Sequence, residues 1–178
     1  MRMGTAKANL LLNGRRLIDI TLEVIKSFFA EIFIVTDDHR RFSEFTESKV
    51  VEDLVKGYGP LAGIYTGLKA ISNEKAFFVA CDMPFLRKDL IKRLLNTSLE
   101  EDCDAVVPYT SRGIEPLHAV YSKKNLKILA DLLKGQDFSI TCLLNRCKCK
   151  YIAVNKEEES SFFNLNTPED LEKISSHG

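Results

Sequence analysis

Charge of one sign is what this sequence most plainly lacks: 25 Lys and Arg are balanced by 25 Asp and Glu across 178 residues, a formal net charge of zero. Gripping a nucleic-acid backbone by bulk electrostatics needs a basic excess that releases counterions, so only a local basic patch could serve that end. Long apolar runs are missing too. None approaches the roughly 20 residues of a bilayer span, and the N-terminal stretch MRMGTAKANL has no apolar core of a secretory signal. A cytoplasmic protein is expected, with neither membrane nor nucleic acid as partner. Cysteine is sparse and odd in number, Cys81, Cys103, Cys142, Cys147 and Cys149, which argues against a disulfide framework in a chain long enough not to need one. Cys142, Cys147 and Cys149 offer three soft ligands, but a structural zinc site wants paired C-x-x-C knuckles and a fourth ligand, and His118 and His177 are distant in sequence. The thiols are read as reduced and mostly structural. No repeat, low-complexity tract or Pro/Gly/Ser linker divides residues 1–178, so one domain is expected.

What is present is 45% hydrophobic content arranged with two alternating periods. Leu17, Ile20, Val24, Ile25 and Phe28 recur at helical spacing, and Ile32-Phe33-Ile34-Val35 then forms a short apolar run ending in Thr36-Asp37-Asp38, a buried strand. Lys49-Val50-Val51 is a brief strand, residues about 60–72 a helix, Ala76-Phe77-Phe78-Val79-Ala80 a strand stopping at Cys81-Asp82-Met83-Pro84, and residues about 86–97 a helix carrying Leu90, Ile91, Leu94 and Leu95. Strands follow at Asp104–Val107 and Leu117–Tyr121, helices near 123–134 and 139–145, and a strand at Tyr151–Val154. Thr167-Pro168-Glu169-Asp170 reads as the cap and first turn of a last helix. Apolar strands separated by amphipathic helices imply an α/β fold with a mostly parallel sheet covered on both faces. Arg112-Gly113, between two strands with no helix, implies an antiparallel excursion over 104–121.

Open α/β sheets bind ligands outside the carboxyl ends of their strands. Asp37-Asp38, Glu52-Asp53 and Cys81-Asp82 occupy such positions. Asp82, held in a restricted backbone by Pro84, suits a hard cation such as Mg²⁺; capping of the 86–97 helix or a place in a turn is the plainer alternative. From Asp53 onward, Gly57, Gly59 and Gly63 precede or open a helix, where a ligand could approach the backbone and an anion or base edge could meet the helix N-terminus; a flexible surface loop would look the same. Arg2, Gly4 and Lys7 converge on few residues, as phosphate binding or a solvated basic cluster would require.

Taken in order, these segments carry a resemblance. Arg2-Met3-Gly4-Thr5-Ala6-Lys7 resembles the R-M-G-x-D-K signature of nucleotidyltransferases, and Asp53 with Gly59-Pro60-Leu61-Ala62-Gly63 resembles their D…G-P-L-A-G segment. Cys81-Asp82-Met83-Pro84-Phe85 is similar to the C-D-M-P-F metal box, Glu115-Pro116-Leu117-His118-Ala119-Val120-Tyr121 to the E-P-L-x-A-x-Y strand, and residues 164–171 to the N-x-N-T-P-E-D-L tail. The set resembles the MobA family of molybdenum cofactor guanylyltransferases.

The resemblance implies a three-layer, Rossmann-like nucleotide-diphospho-sugar transferase fold with a mixed, mostly parallel sheet. It also implies transfer of GMP from GTP to the molybdenum–molybdopterin cofactor, giving molybdopterin guanine dinucleotide and pyrophosphate. Lys7 and Asp82 would be catalytic, Lys7 on the GTP phosphates and Asp82 on nucleotide and Mg²⁺. Asp53 would contact the nucleotide, Leu61, Ala62 and Gly63 would lie against guanine, and Asn164 and Asn166 would line the acceptor side. Molybdoenzyme chaperones or apo-enzymes would be the protein partners. His118, within a strand pattern, is read as a packed residue. The chain departs from the family at Ala6, usually aspartate, and at Val35, where some members carry a nucleotide-contacting asparagine. The family's first strand and L-A-G-G-x-S loop would precede Arg2, so the native protein is expected to start roughly 15–20 residues upstream. The alternatives are a sibling using CTP or another nucleotide, with discrimination at 59–63, and a non-catalytic molybdopterin- or nucleotide-binding adaptor.

Overall fold

Residues 8–135 and 138–163 are described by the structure, a computed structural model. The expected last helix lies outside them. Asn13 and Gly14, both at positive φ (51° and 76°), close a turn that pairs β1 (Leu11–Leu12) with β2 (Arg15–Arg16). Asn-Gly suits a two-residue hairpin turn. The hairpin feeds α1 (Leu17–Lys26), which buries Leu17, Ile18, Thr21 and Leu22 along one stripe and places Asp19 in its first turn and Lys26 in its last, as the helix dipole favours. β3 (Phe33–Thr36) and β4 (Lys49–Glu52) pair in parallel from Phe33↔Lys49 to Thr36↔Glu52, with a 3₁₀ turn at His39–Phe42 between them. α2 (Gly59–Ala70) has Pro60 in its first turn. β5 (Lys75–Val79) and α3 (Lys88–Glu100) follow, then β6 (Ala105–Thr110), β7 (Gly113–Ile114) and β8 (His118–Ser122). After a 3₁₀ turn at Lys123–Asn125 come α4 (Leu126–Lys134), α5 (Ile140–Leu144), β9 (Cys149–Ala153) and a 3₁₀ helix at Glu158–Phe162.

The antiparallel excursion is present: β6 pairs antiparallel with β7 and β8, and β8 with β5. β9 pairs in parallel with the other edge of β6, so β5, β6 and β9 run one way and β7 and β8 the other. Helices cover both faces of this sheet. Leu61, Ile64 and Leu68 of α2, Leu129 and Leu132 of α4 and Leu143 of α5 pack with Val107, Ala119 and Tyr121 on one face. Leu90 and Leu94 of α3 pack with Val106, Val120 and Phe162 on the other. Each fully buried leucine contributes roughly 1.5–3 kcal/mol of transfer free energy.

The expected mixed, mostly parallel sheet is seen only in pieces. Among the described residues the strands form separate sheets, β3–β4 and β5–β8–β6–β7 with β9, besides the hairpin. β3 and β5 share no ladder, yet one helix lies across both. A Cβ at Gly67 of α2 would stand 2.6 Å from Phe78 of β5 and 3.7 Å from Val35 of β3. On the opposite face Phe29, just ahead of β3, stacks on Phe77 of β5 at 5.9 Å. β3 and β5 are accordingly half-buried along most of their length, whereas β8, paired on both edges, is fully buried. Val35 faces the helix and is half-buried.

Candidate active site

α2 follows β4 and leads to β5, lying against Val35 of β3 and Phe78 of β5. Acidic residues follow each of β3, β4 and β5. After β3, Asp38 caps the 3₁₀ turn by accepting from the Arg40 N–H (3.1 Å) and the Arg40 Nε (3.0 Å), with Arg41 at 3.7 Å. The Arg40 guanidinium holds its carboxyl below the usual range. After β4, Glu52 pairs with Lys56 and, at 3.0 Å, with His39 Nδ1, and Lys56 is the larger cause of its lowered carboxyl pKa. Periodicity gave no hint of this cluster, because 3₁₀ turns have no long repeat.

Asp53 comes next, half-buried, its N–H donating to Thr36 O at 2.8 Å. Thr66 of α2 accepts from the Leu54 N–H at 3.0 Å, which fixes the start of the loop against the helix. Gly57 and Gly59 sit at φ of 100° and 60°, a left-handed backbone that side chains rarely adopt, so the loop bends back into α2 only because these positions are glycine. Leu61 and Ala62 are fully buried in the core, while an added Cβ at Gly63 would meet nothing within 4 Å. A ligand at this helix start would therefore meet backbone and the open side of Gly63 rather than the Leu61 and Ala62 side chains.

After β5, Ala80 donates its N–H to Leu117 O (3.0 Å) and Met83 N–H to Ala80 O (3.4 Å), closing a turn over Cys81-Asp82. Met83 is buried, and Cys81 packs against the same buried cluster, with Ile18, Leu22 and Phe42, that Ile34 of β3 and Val50 of β4 also pack against. Asp82 does not cap α3, whose N-cap position is Arg87. Lys7, Asn164 and Asn166 lie outside the described residues.

Two further groups lie beside the end of β5. Glu115 is pinned by its own N–H to Pro108 O (2.9 Å) and by its carbonyl to the His118 N–H (3.2 Å); burial raises its carboxyl pKa, with Arg112 acting the other way. His118 is completely buried between the rings of Phe77 and Phe162 at 5.0 and 5.2 Å, and neither ring nitrogen has a hydrogen-bond partner. Burial pushes its pKa down to about 3, so the imidazole is neutral near pH 7 and packs as the strand pattern implied. The thiols of Cys103, Cys147 and Cys149 are all raised by burial, Cys147 to about 12, and remain protonated. Among the described residues no three His, Cys, Asp or Glu side chains are grouped to hold a metal, and no helix is long and apolar enough to cross a membrane.

An α/β layer with acidic residues at its strand ends, beside a glycine loop that opens a helix, suits the class of enzymes that bind nucleotides. Residues 1–148 match the MobA-like NTP transferase domain, and the chain belongs to that family. It is 39% identical over 180 residues to the probable molybdenum cofactor guanylyltransferase of Natranaerobius thermophilus, across 97% of this chain and 88% of that protein. The crystal structure of molybdopterin-guanine dinucleotide biosynthesis protein A from Archaeoglobus fulgidus superposes with a TM-score of 0.83 at 30% identity, covering 97% of this chain and 91% of that one. The 4-diphosphocytidyl-2C-methyl-D-erythritol synthase of Anaerococcus prevotii shares the fold alone, with a TM-score of 0.75 at 17% identity over 96% of this chain and 92% of that one. The resemblance carried by the five motifs is borne out.

Proposed function

We propose that this chain is a molybdenum cofactor guanylyltransferase, transferring GMP from GTP to the terminal phosphate of the molybdenum–molybdopterin cofactor. The observation that supports the reading is that Cys81, next to Asp82, packs against the same buried cluster as Ile34 of β3 and Val50 of β4, the strand that Asp53 follows. An oxygen of the acceptor phosphate attacks the α-phosphorus of GTP; the new P–O bond forms as the bond to the β-phosphate oxygen breaks, and pyrophosphate leaves. The nucleophile is already ionised at neutral pH, so no general base is required, and catalysis rests on positioning and charge stabilisation. A neutral, enclosed His118 is consistent with that.

The residues fit Mg²⁺. This ion demands oxygen ligands and is usually held by one or two carboxylates together with substrate phosphates and water, rather than by a preassembled cage. Asp82 in its turn after β5, together with Asp53 after β4, would supply that donor set. Bound there, Mg²⁺ would neutralise charge developing on the phosphate oxygens. In this reading Lys7 binds the GTP phosphates, Asp53 orients the nucleotide, the backbone at Leu61, Ala62 and Gly63 lies against guanine, and Asn164 and Asn166 line the acceptor side. The cytoplasm is its compartment, and molybdoenzyme chaperones or apo-enzymes receive its product.

The deciding assay supplies GTP, Mg²⁺ and molybdenum–molybdopterin and follows pyrophosphate and molybdopterin guanine dinucleotide, with CTP in competition. Both products should appear from GTP. Product from CTP would make the protein a cytidylyl-transferring sibling, and acceptor binding without pyrophosphate would make it an adaptor.

A further inference from the structure

β9 lies at one edge of the larger sheet and β5 at the other, and among the described residues β9 pairs with β6 alone. The direction of its free groups follows from that ladder. Lys148 O accepts from the Asp104 N–H (2.8 Å) and the Val154 N–H donates to Tyr109 O (3.1 Å), so the even-numbered residues turn their backbone groups to β6. Backbone groups alternate in direction along a strand, which leaves those of Cys149, Tyr151 and Ala153 facing outward. Ala153 O accordingly accepts from Arg93 Nη2 of α3 at 2.9 Å. Tyr151 is 43% exposed, and Lys150 and Ala153 are exposed beside it.

An edge of this kind is a template for another strand unless something guards it, and lysine, proline or a bulge is the usual guard. The lysines of this edge are answered within the chain: Lys148 pairs with Asp102 at 3.0 Å and Lys150 with Glu101 at 2.7 Å. β9 holds no proline, and its register with β6 runs unbroken from Ala105↔Cys149 to Tyr109↔Ala153.

Register then selects the occupant. A second β9, antiparallel and centred on Tyr151, overlaps along its full length: Tyr151 meets the partner's Tyr151, Cys149 meets the partner's Ala153, and Lys150 falls opposite the partner's Ile152. Centring the pair on Lys150 would oppose like charges, and centring it on Ile152 would leave fewer outward groups paired.

We propose that β9 is a self-association edge, to which a second copy of this chain adds antiparallel across a two-fold axis at Tyr151. One self-complementary patch suffices for such an axis, and two five-stranded sheets become one. The inference goes beyond guanylyl transfer and does not rest on it, because β5, the strand that leads to Asp82, stays at the far edge of each copy. A five-residue strand spans only about 17 Å. Such a contact is smaller than a standard interface, so the dimer should be weak, with Kd roughly 10–100 μM.

The test is sedimentation velocity of the full chain from about 1 to 300 μM, a range that spans this Kd, with hydrogen exchange of single amides at both ends of the range. The wild type should pass from monomer to dimer. On doing so the Tyr151 and Ala153 amides should gain about tenfold protection or more, while those of the β1–β2 hairpin stay unchanged. Tyr151→Pro removes an outward N–H and no bond to β6, a position at which an edge strand tolerates proline, and it should raise Kd about tenfold or more. Tyr151→Lys keeps the backbone donor and opposes two charges on the axis, with the same expected result. Circular dichroism and melting temperature show whether each variant keeps its fold, and if Tyr151→Pro does not, Tyr151→Lys decides. A chain that stays monomeric at the highest concentration would overturn the proposal. So would a dimer that survives Tyr151→Lys, or one that forms without protecting Tyr151 and Ala153, since another surface would then be the interface.

Discussion

On one side of the boundary between β3 and β5, β8 is buried along all five of its residues and paired on both edges; on the other, β3 and β4 form a two-stranded ladder of mostly half-buried residues. Around β3 and β4 lie exposed pairs, Arg16 with Glu44, Lys26 with Glu47, Lys49 with Glu31 and Lys56 with Glu52. The larger sheet has exposed pairs too, Lys148 with Asp102 and Lys150 with Glu101, but adds enclosed polar groups: Glu158 on Arg93, Asn125 donating to Asp104 O at 2.6 Å, and His118 among aromatic rings. The larger sheet is the more enclosed half and the β3–β4 pair the more surface-tied one. Asp82 follows a strand of the first and Asp53 a strand of the second, so the nucleotide would bind where a firm wall meets a more yielding one.

The largest effect that tests this division is chemical. Asp82→Asn should lower kcat at least about 100-fold, the scale of losing one charge-stabilising group, with little change in melting temperature because the turn is held by backbone hydrogen bonds. Steady-state pyrophosphate release and thermal denaturation together check it. An active Asp82→Asn would take the metal away from the firm wall.

Gly67→Ala comes next and strikes the covering helix. The new methyl would stand 2.6 Å from Phe78 Cε1, and that ring already meets the buried Tyr121 edge-on at 5.7 Å, so it has little freedom to withdraw. Overpacking costs about 1–3 kcal/mol, against a helix-propensity gain of about 1 kcal/mol over glycine. Urea denaturation should show a net loss, and Phe78→Leu in the same chain should restore part of it. Stabilisation by Gly67→Ala would mean that α2 does not press on both strands.

How much of this could be read in the chain follows from how each feature is encoded. β3, β5, α2 and α3 announce themselves because burial imposes a period on many residues at once. Asp53 and Asp82 were legible as polar residues at strand ends, and their identity came through motifs that span the family. The hairpin at Asn13-Gly14 went unread, because its two-residue strands are too short to show in periodicity. The break between β3 and β5 was not legible at all, because a pairing between strands leaves its mark on neither strand's own pattern. The same holds for Arg93 and Glu158, 65 positions apart: each looks like an ordinary surface charge until the fold brings them together.

His118→Phe should have a smaller effect of opposite sign. Removing two buried ring nitrogens that lack partners should stabilise the larger sheet by about 1 kcal/mol, since phenylalanine can take the same edge contacts with Phe77 and Phe162. The variant should also change the response to acid. A histidine whose folded pKa lies at about 3, below the ordinary 6.5, is protonated more readily unfolded. Its cost is therefore absent above that ordinary value and grows as pH falls between the two. Denaturation midpoints followed from pH 7 to pH 4 should fall less steeply in His118→Phe than in the wild type; parallel slopes would mean that the imidazole reaches water.

The smallest effects belong to the exposed pairs, and salt separates them from His118. Lys26 lowers the Glu47 carboxyl pKa and Lys56 lowers that of Glu52. Such groups contribute stability above the unfolded carboxylate value and lose it as pH falls through the lowered one, the same direction as His118 but in a more acid window. Exposed pairs are largely screened at about 1 M salt, whereas the cost of charging an imidazole enclosed by rings is screened much less. Raising salt should thus flatten the most acid part of the profile and leave the part nearer neutrality intact, and Lys26→Met should scarcely move the midpoint at any pH. If salt instead erased the slope nearer neutrality, the contrast between an enclosed half and a surface-tied half would fail at its most sensitive point, because the dominant acid-sensitive group would then be one that water already reaches.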